Sequence, residues 1–247
     1  MYKVFSAKVL ILAVSWLVMG LYFIIPEVNR FLDEFTNYKF RTAAIPSLAW
    51  VVISLVLWKP VWRFFWKLVP PLNKWIFPDL NGEWDVELFS NWPRQVQLLE
   101  AAMSEDKKIN MRQCDESHLA ELTPIQLRAR IHQTWWEFEI QLYNPNNNTP
   151  IDRSYTISVE PFRGTEFQPP GICYIYKQQN QTDNVSDDNE FFGAARLTYN
   201  FSNKRLTGVA WTARMWRRAM NTAGPITFTR RRSASLFSKW YTRWRKM

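Results

Sequence analysis

The chain has 247 residues and a net charge of +9, with only two cysteines and two histidines. Because Cys114 and Cys173 lie far apart, they exclude a disulfide scaffold and a cysteine-rich zinc site, and so few histidines exclude a histidine-rich metal site. We therefore expect no metal and no cofactor. The length leaves room for a membrane anchor and one domain of about 165 residues.

Two apolar stretches near the start of the chain predict a transmembrane hairpin over residues 1–66. The first, Val9 to Ile25, carries no charge, and because Lys8 can extend its stem to the headgroups, Val4 to Ile25 can cross a hydrocarbon core about 30 Å thick. The second, Ala43 to Trp58, is shorter, and Pro46 falls in its first turn, where a missing N–H costs little. A cleaved signal peptide is the alternative for the first stretch, but no small-residue cleavage site follows Ile25.

Basic residues near the predicted helix ends indicate the orientation of the hairpin. Lys3 and Lys8 precede the first helix, and a basic segment that begins at Lys59 and Arg63 follows the second. The connector between the helices balances its basic residues with acidic ones. The positive-inside rule therefore predicts a two-pass protein with both termini and the remaining chain in the cytoplasm.

The segment after the hairpin predicts a short linker and the start of a folded domain. Residues 67–78 contain Pro70-Pro71, which stops a helix, and we place the domain over residues 79–232. Asn81-Gly82 is a turn signal, and Glu83 to Phe89 alternates as a first strand. Gln95 to Met103 has the spacing of a short helix. The charged, aperiodic stretch 104–121 is predicted to be an exposed insertion.

Period-two alternation continues through the rest of this domain and predicts seven more strands. Between the second and third strands the alternation changes parity at Gln133-Thr134, which predicts a tight turn or a bulge. Polar residues from Gln178 to Glu190 predict a mobile loop. The seven strands cover Ile125–His132, Trp136–Leu142, Ser154–Val159, Ile172–Lys177, Ala194–Phe201, Arg205–Ala213 and Ile226–Arg230.

Eight strands of similar length, joined mostly by turns, predict a mainly-β domain. We expect an eight-stranded antiparallel β-barrel with a short helical insertion, and a sandwich is the alternative. A barrel of eight strands is just wide enough to hold one small ligand.

Residues 233–247 form a basic, aromatic tail with a helical period. From Arg214 onward the chain has ten lysines or arginines and no acidic residue, a pattern that suits phosphate ligands or anionic membrane lipid; we expect no DNA or RNA partner. We interpret the tail as an interfacial amphipathic helix. A helix docked on the barrel or on a neighbouring protomer is the alternative.

Motifs of catalysis are missing from the sequence, so we expect no enzyme and no catalytic residue. The chain has neither a glycine-rich phosphate loop nor a Gly-x-Ser-x-Gly elbow. Glu137 and Glu139 share one strand face, but alternating acidic residues of this kind are typical of a solvated surface.

Three segments together resemble the bacterial two-transmembrane, β-strand-rich effectors of CBASS anti-phage systems. The segments are Asp79-Leu80-Asn81-Gly82-Glu83-Trp84, Ile131-His132-Gln133-Thr134-Trp135, and Leu206-Thr207-Gly208-Val209-Ala210-Trp211-Thr212 with Gly224-Pro225-Ile226 after it. The insertion at 104–121 and the tail at 233–247 depart from the family pattern, so their roles are open.

The resemblance implies a barrel that senses a cyclic oligonucleotide, a cyclic di- or trinucleotide made by a cognate nucleotidyltransferase. It also implies a homo-oligomer that forms in the bacterial inner membrane on activation, disrupts the membrane and causes abortive infection. A membrane-tethered protein- or lipid-interaction module without nucleotide sensing is the alternative function.

A cyclic nucleotide needs polar or cationic donors for its phosphates and flat rings for its bases. Trp84, Tyr174 and Tyr176 could instead only fill the barrel, and Arg214 and Arg218 could instead contact lipid or solvent. The candidate ligand-binding residues are Trp84, Tyr174, Tyr176, Arg196, Trp211, Arg214, Arg218 and Asn221.

Overall fold

A computed structural model describes residues 1–36, 39–105, 109–110, 112–146, 151–181 and 188–231. The predicted tail at 233–247 lies outside the described residues. The chain divides into two compact units. The first holds Met1–Asp79 with the short turn Thr134–Glu137, and the second holds Leu80–Gln133 and the chain from Phe138 onward.

Helix α1, Ala7–Asp33, is the principal apolar element of the first unit. Ser6 caps it by accepting a hydrogen bond from the N–H of Val9 at 3.4 Å. Among the described residues, α1 is the one unbroken helix that is long and apolar enough to cross a membrane. A helix of this kind at the start of a chain is either a membrane span or a signal sequence.

The second apolar stretch forms two helices that meet at an angle. Helix α2, Ile45–Leu57, and helix α3, Lys59–Leu68, are bent by 63° at Trp58, whose backbone is extended. Pro60 lacks an N–H, and in a continuous helix its ring would clash with the carbonyl four residues earlier, so the bend falls at the start of α3. The two helices form a second span only if the bent pair counts as one, and the hairpin therefore stays a prediction.

Residues from both ends of this unit contact Trp135. The N–H of Tyr2 donates to the Trp135 carbonyl at 2.9 Å, and the Phe5 ring stacks on the Trp135 indole with centroids 6.0 Å apart. Trp66 in α3 packs edge-on against the same indole at 6.2 Å. The chain before α1 and the chain at the end of α3 therefore meet at one place. A short helix, α4 (Leu72–Trp75), follows.

The second unit is a closed barrel of eight antiparallel strands in sequence order, in which β8 also pairs with β1. This confirms the predicted barrel, and the sandwich alternative was wrong. The strands are β1 Gly82–Ser90, β2 Thr123–Gln133, β3 Phe138–Tyr143, β4 Ile151–Phe162, β5 Gly171–Asn180, β6 Glu190–Asn200, β7 Arg205–Thr212 and β8 Ala223–Arg230.

Alternate residues of each strand face the interior and form the core. In β2 the inward residues are Leu127, Ala129 and Ile131, as the period-two pattern predicts. The parity change lies in the turn Thr134–Glu137, after which Ile140 and Leu142 face inward. The largest buried barrel side chains include Trp84, Ile140, Ile172, Leu197, Leu206 and Phe228.

One end of the barrel, which we call the base, receives the chain at Leu80 and Asn81. Oε1 of the buried Gln133 accepts a hydrogen bond from the N–H of Leu80 at 2.7 Å. The side-chain amide of Asn81 donates through Nδ2 to the Gln133 carbonyl and accepts the Gln133 N–H on Oδ1, each at 2.9 Å. Gly82 follows with a φ of +133°, which strongly favours glycine. At the same end, the N–H of Arg231 donates to the Glu83 carbonyl at 3.0 Å, so the chain also leaves the barrel there.

The opposite end, which we call the mouth, carries the predicted helix as α5, Trp92–Ala102. Asn91 links α5 to β8, since its N–H donates to the Ala223 carbonyl at 3.1 Å and its Oδ1 accepts the Ala223 N–H at 2.9 Å. The structure also corrects the predicted loop at 178–190, because β5 continues to Asn180. The backbone ladder with β6 holds Gln178 and Asn180 in the strand although their side chains are polar.

Candidate functional site at the barrel mouth

Two neighbouring cavities lie at the mouth and share Phe191 in their linings. The interior cavity, about 70 Å³, is lined in part by Tyr176, Gln178, Asn180, Thr212, Arg214 and Thr222. The rim cavity, about 580 Å³, is lined in part by Lys177, Phe192, Trp216, Arg217 and Arg218. The mouth therefore combines aromatic rings, amides and arginines around one opening.

Two tyrosines project inward from β5, because they are separated by two positions on one strand. Tyr176 lines the interior cavity, and Tyr174 lies one step nearer the base, with ring centroids 5.7 Å apart. Burial raises the pKa of both phenols, and the neighbouring Tyr176 raises the pKa of Tyr174 further. Both side chains are therefore neutral near pH 7, and each O–H remains a hydrogen-bond donor.

Gly193 in β6 leaves the space that the Tyr176 ring occupies. It pairs with Tyr176 across the sheet and with Thr212 on its other side. A Cβ placed on Gly193 would overlap the Cζ and hydroxyl of Tyr176. The direction of the Tyr176 ring into the mouth thus depends on a glycine in the neighbouring strand.

We expect Gly193→Ala to displace the Tyr176 ring and to destabilise the barrel by about 1–3 kcal/mol, because an added methyl group overpacks the site. Chemical unfolding of the full chain in detergent, followed by near-ultraviolet circular dichroism, measures both effects. Gly20→Ala is the matched control, since nothing lies within 4 Å of a Cβ there. Equal unfolding midpoints for the two variants would contradict this account of Tyr176.

Polar side chains continue the inward row of β5 into the mouth. Gln178 donates through Nε2 to Oδ1 of Asn180 at 2.8 Å, and both side chains are buried. Nδ2 of Asn180 is also buried, and among the described residues it has no hydrogen-bond partner. A buried donor without an acceptor costs about 1–3 kcal/mol, so this amide indicates an acceptor supplied by a ligand or by water.

The connection between β7 and β8 brings three arginines to the same opening. Arg214 lies over the Trp92 ring at 5.0 Å and lines the interior cavity. The next residue, Met215, is fixed by its N–H, which donates to Oδ2 of Asp188 at 3.0 Å, and its φ of 49° is in the left-handed region. Arg217 and Arg218 follow in a short 3₁₀ turn and line the rim cavity.

Acidic groups at the rim are partly neutralised. Glu190 forms a salt bridge with Lys177, and this contact lowers the pKa of Glu190 and raises the pKa of Lys177. Asp188 is held by the backbone of Met215. The exposed Arg217 and Arg218 therefore give the rim an excess of positive charge, which suits an anionic ligand.

The structure brings three of the predicted ligand residues together at the mouth. Tyr176 and Arg214 line the interior cavity, and Arg218 lines the rim cavity. Tyr174 lies in the barrel just below them. Asn221 is close by, and its backbone carbonyl accepts a hydrogen bond from Nε2 of Gln95. Their part in binding stays a prediction.

The other three predicted residues lie away from both cavities. Trp84 is buried near the base, where its indole N–H donates to the Leu80 carbonyl at 3.0 Å, so its placement favours the alternative that it fills the barrel. Arg196 and Trp211 are exposed on the outer face, and Arg196 lies over the Phe162 ring at 5.2 Å.

Sequence reasoning missed the buried polar residues of the mouth. Gln178 and Asn180 continue the alternation of Tyr174 and Tyr176, and this spacing was the signal that could have found them. A polar composition concealed it, because polar runs between strands are typical of loops. The hydroxyl pair of Thr212 and Thr222, 2.7 Å apart, depends on the β7–β8 geometry and left no signal in the sequence.

The fold and the mouth together define a closed eight-stranded barrel with an arginine-bearing opening, in a chain with an N-terminal apolar helix. In the described part of the chain, no group of three His, Cys, Asp or Glu side chains could hold a metal ion.

Comparison with known proteins finds a similarity over most of the chain. The chain is 25% identical over 180 residues to CD-NTase-associated protein 15 of Escherichia albertii. These aligned residues cover 72% of this chain and 75% of that protein. No protein-family model matches the chain. The similarity supports the resemblance to CBASS-associated proteins that the sequence motifs indicated.

Proposed function

We propose that the protein is a membrane-anchored sensor of a cyclic oligonucleotide in an anti-phage CBASS system. The observation that carries the proposal is the interior cavity at the mouth, which Tyr176, Asn180 and Arg214 line together. Nδ2 of Asn180 is buried there and has no hydrogen-bond partner among the described residues. The similarity to CD-NTase-associated protein 15 supports a partner enzyme that makes such a nucleotide.

The sizes of the cavities suggest how a cyclic dinucleotide would bind. The interior cavity of about 70 Å³ is too small for a dinucleotide, whereas the rim cavity of about 580 Å³ is within the usual range for small-molecule sites. We infer that a base edge enters the interior beside Tyr176 and Asn180. The phosphates then face Arg217 and Arg218, which can form charge-assisted hydrogen bonds with them.

The contacts of Trp135 support two membrane crossings. Tyr2 and Phe5 precede α1, Trp66 lies near the end of α3, and all three contact Trp135. A chain that crosses a bilayer once ends on the opposite side, whereas a chain that crosses twice returns. We therefore propose that α1 and the bent pair α2–α3 both span the inner membrane, with the barrel in the cytoplasm.

In this proposal the protein acts without a chemical step. The ligand favours a conformation that self-associates, because it binds that conformation more tightly than the resting one. Clustered membrane segments then disturb the bilayer and cause abortive infection.

Calorimetric titration of the full chain in detergent with a panel of cyclic di- and trinucleotides tests the proposal. We expect saturable heat with at least one of them and a clear loss of affinity in Arg214→Gln. The matched control is Arg196→Gln, because Arg196 lies on the outer face and lines neither cavity. If no nucleotide gives heat, or both variants lose affinity equally, the proposed site is wrong.

One observation favours the second candidate, a lipid-interaction module that uses the basic tail. The last described residue, Arg231, lies beside Glu83 at the base, the end of the barrel that also receives the chain at Leu80. Basic residues near a membrane attract anionic lipid.

Deletion of 233–247 distinguishes the two functions. We expect the shortened chain to keep its affinity for the cyclic nucleotide within about twofold, a difference of less than 0.5 kcal/mol, since the residues proposed to bind it lie outside the deleted segment. The measurement is the same titration. A chain that loses nucleotide binding but not its fold would instead assign the binding role to the tail.

A further inference from the structure

A further cavity lies in the first unit, beside the bend between α2 and α3. Its volume is about 600 Å³, and all the residues that line it belong to this unit. Residues of α2, the start of α3 and the turn Thr134–Glu137 form its walls. We call this cavity the α2 groove, and its lining includes Trp50, Ile53, Leu57, Lys59, Trp136 and Glu137.

Most of the α2 groove is apolar and aromatic. Trp50 and Trp58 both line it and lie about 12 Å apart along α2. Their exposed fractions are 67% and 60%, and that of Trp136 is 62%. Tryptophan is enriched where membrane hydrocarbon meets the headgroups. The wall that α2 contributes is therefore suited to the acyl chain of a lipid.

Two opposite charges line the same groove. Lys59 supplies a cation, and Glu137 supplies a carboxylate. Within the described part of the chain, neither side chain forms an ion pair. Arg63, one turn further along α3, is instead held by Asp79 at 2.8 Å. The α2 groove therefore offers a ligand one cationic and one anionic contact.

Hydrogen bonds within the turn fix the backbone that carries Glu137. The Thr134 hydroxyl accepts the N–H groups of Trp136 at 3.1 Å and of Glu137 at 2.8 Å. The Thr134 N–H donates to the Glu137 carbonyl at 2.8 Å. The Trp136 ring also contacts the Tyr2 ring, with centroids 5.6 Å apart. A well-defined turn therefore presents both the carboxylate and the indole to the groove.

Charge complementarity identifies the class of ligand that fits the α2 groove. Such a ligand has an apolar chain, an anionic group for Lys59 and a hydrogen-bonding cation for Glu137. A phospholipid with a primary ammonium headgroup has all three. An anionic headgroup leaves Glu137 without a cationic partner, and a quaternary ammonium has no N–H to donate to a carboxylate.

We propose that the α2 groove binds one molecule of phosphatidylethanolamine. Its acyl chain lies along Ile53 and Leu57, its phosphate accepts a hydrogen bond from Lys59, and its ammonium donates to Glu137. The inference rests on the proposed membrane crossing by α2–α3 but not on nucleotide binding at the mouth. It differs from attraction of anionic lipid to the tail, because it requires a carboxylate.

Native mass spectrometry of the delipidated full chain in detergent tests the site. The chain is mixed with equal amounts of phosphatidylethanolamine, phosphatidylcholine and phosphatidylglycerol that have the same acyl chains. We expect one phosphatidylethanolamine to be retained at least about tenfold more tightly than either other lipid, since only its headgroup forms the charged hydrogen bond with Glu137. Equal retention of the three lipids, or a preference for one of the other two, would overturn the proposal.

Charge-removing variants locate the site. Glu137→Gln should abolish the preference for phosphatidylethanolamine over phosphatidylcholine, and Lys59→Gln should weaken phosphatidylethanolamine binding about tenfold. The matched controls are Glu139→Gln and Lys67→Gln, because both side chains are exposed and neither lines the groove. Circular dichroism confirms the fold of each variant. An unchanged preference in a folded Glu137→Gln chain would reject the assigned ammonium contact.

Photocrosslinking in proteoliposomes separates a failure of this site from a failure of the proposed membrane crossing. p-Benzoylphenylalanine replaces Trp136 in one sample and Ile11, which is exposed on α1, in the other. With the three lipids in equal amounts, we expect position 136 to link mainly to phosphatidylethanolamine and position 11 to link to all three alike. Equal linkage at both positions would reject the groove but not the crossing, whereas no lipid at either position would reject both.

Discussion

Replacing Trp84 with alanine is expected to lower the free energy of unfolding of the barrel by about 3–5 kcal/mol, the usual cost of removing a buried tryptophan. Trp84 has no exposed surface, and its indole N–H donates to the Leu80 carbonyl. The Arg230 guanidinium lies 4.8 Å above its ring. The substitution therefore opens a cavity and removes a hydrogen bond and a cation–π contact together.

Chemical unfolding of the full chain in detergent, followed by far-ultraviolet circular dichroism, measures this loss. Trp216→Ala is the matched control, because Trp216 is 61% exposed at the rim and its removal should cost less than about 1 kcal/mol. If the two alanine variants unfold at the same denaturant concentration, Trp84 does not stabilise the barrel core near the base more than an exposed tryptophan does. The pair also separates a core role for Trp84 from a ligand role.

Changing Asn180 to aspartate is expected to weaken cyclic nucleotide binding about 10- to 100-fold, equivalent to about 1–3 kcal/mol. The substitution keeps an oxygen that can accept the hydrogen bond from Gln178 but removes the Nδ2 donor. It also places a negative charge in the interior cavity, next to a ligand that is itself anionic in the proposed function. Both changes oppose binding while the shape of the side chain is preserved.

The measurement is calorimetric titration with the nucleotide that the parent chain binds most tightly. Gln141→Glu makes the same amide-to-acid change on the outer face of β3, where the side chain is exposed, and should leave the affinity unchanged. An unaltered affinity in Asn180→Asp would show that the buried amide does not contact the ligand. The interior cavity would then have no part in recognition.

Most of the barrel was predictable because its interior is apolar and its strands have a strict period of two. Leu127, Ala129 and Ile131 alternate with polar residues, so both the strand and its buried face followed from the pattern. The turn at Thr134–Glu137 followed from a change of parity. The bend at Trp58 was harder, because the long apolar composition of the segment concealed the effect of Pro60.

The mouth was less predictable, because binding sites break the rule that buried residues are apolar. Tyr176 was identified since an aromatic residue on a strand can both pack and bind. Asn180 was missed because its polarity indicated a loop. In β7 the opposite error arises: the small Gly208 and Ala210 share the inward-facing side of the strand, and the larger Trp211 faces solvent. Trp211 was predicted to bind the ligand because it is a flat ring on a strand, but its side chain lies on the outer face.

The arrangement of the connections has a consequence for how ligand preference can diverge. The connections at the mouth follow β1, β3, β5 and β7, and they include α5 and the arginine-bearing turn; those at the base include the tight turns Thr134–Glu137 and 201–204. The loops that would recognise the ligand in the proposed function are thus separate from the turns at the base, where the chain enters and leaves the barrel. Exchange of the mouth loops between related chains should transfer the nucleotide preference, while the eight strands and the N-terminal helices remain unchanged.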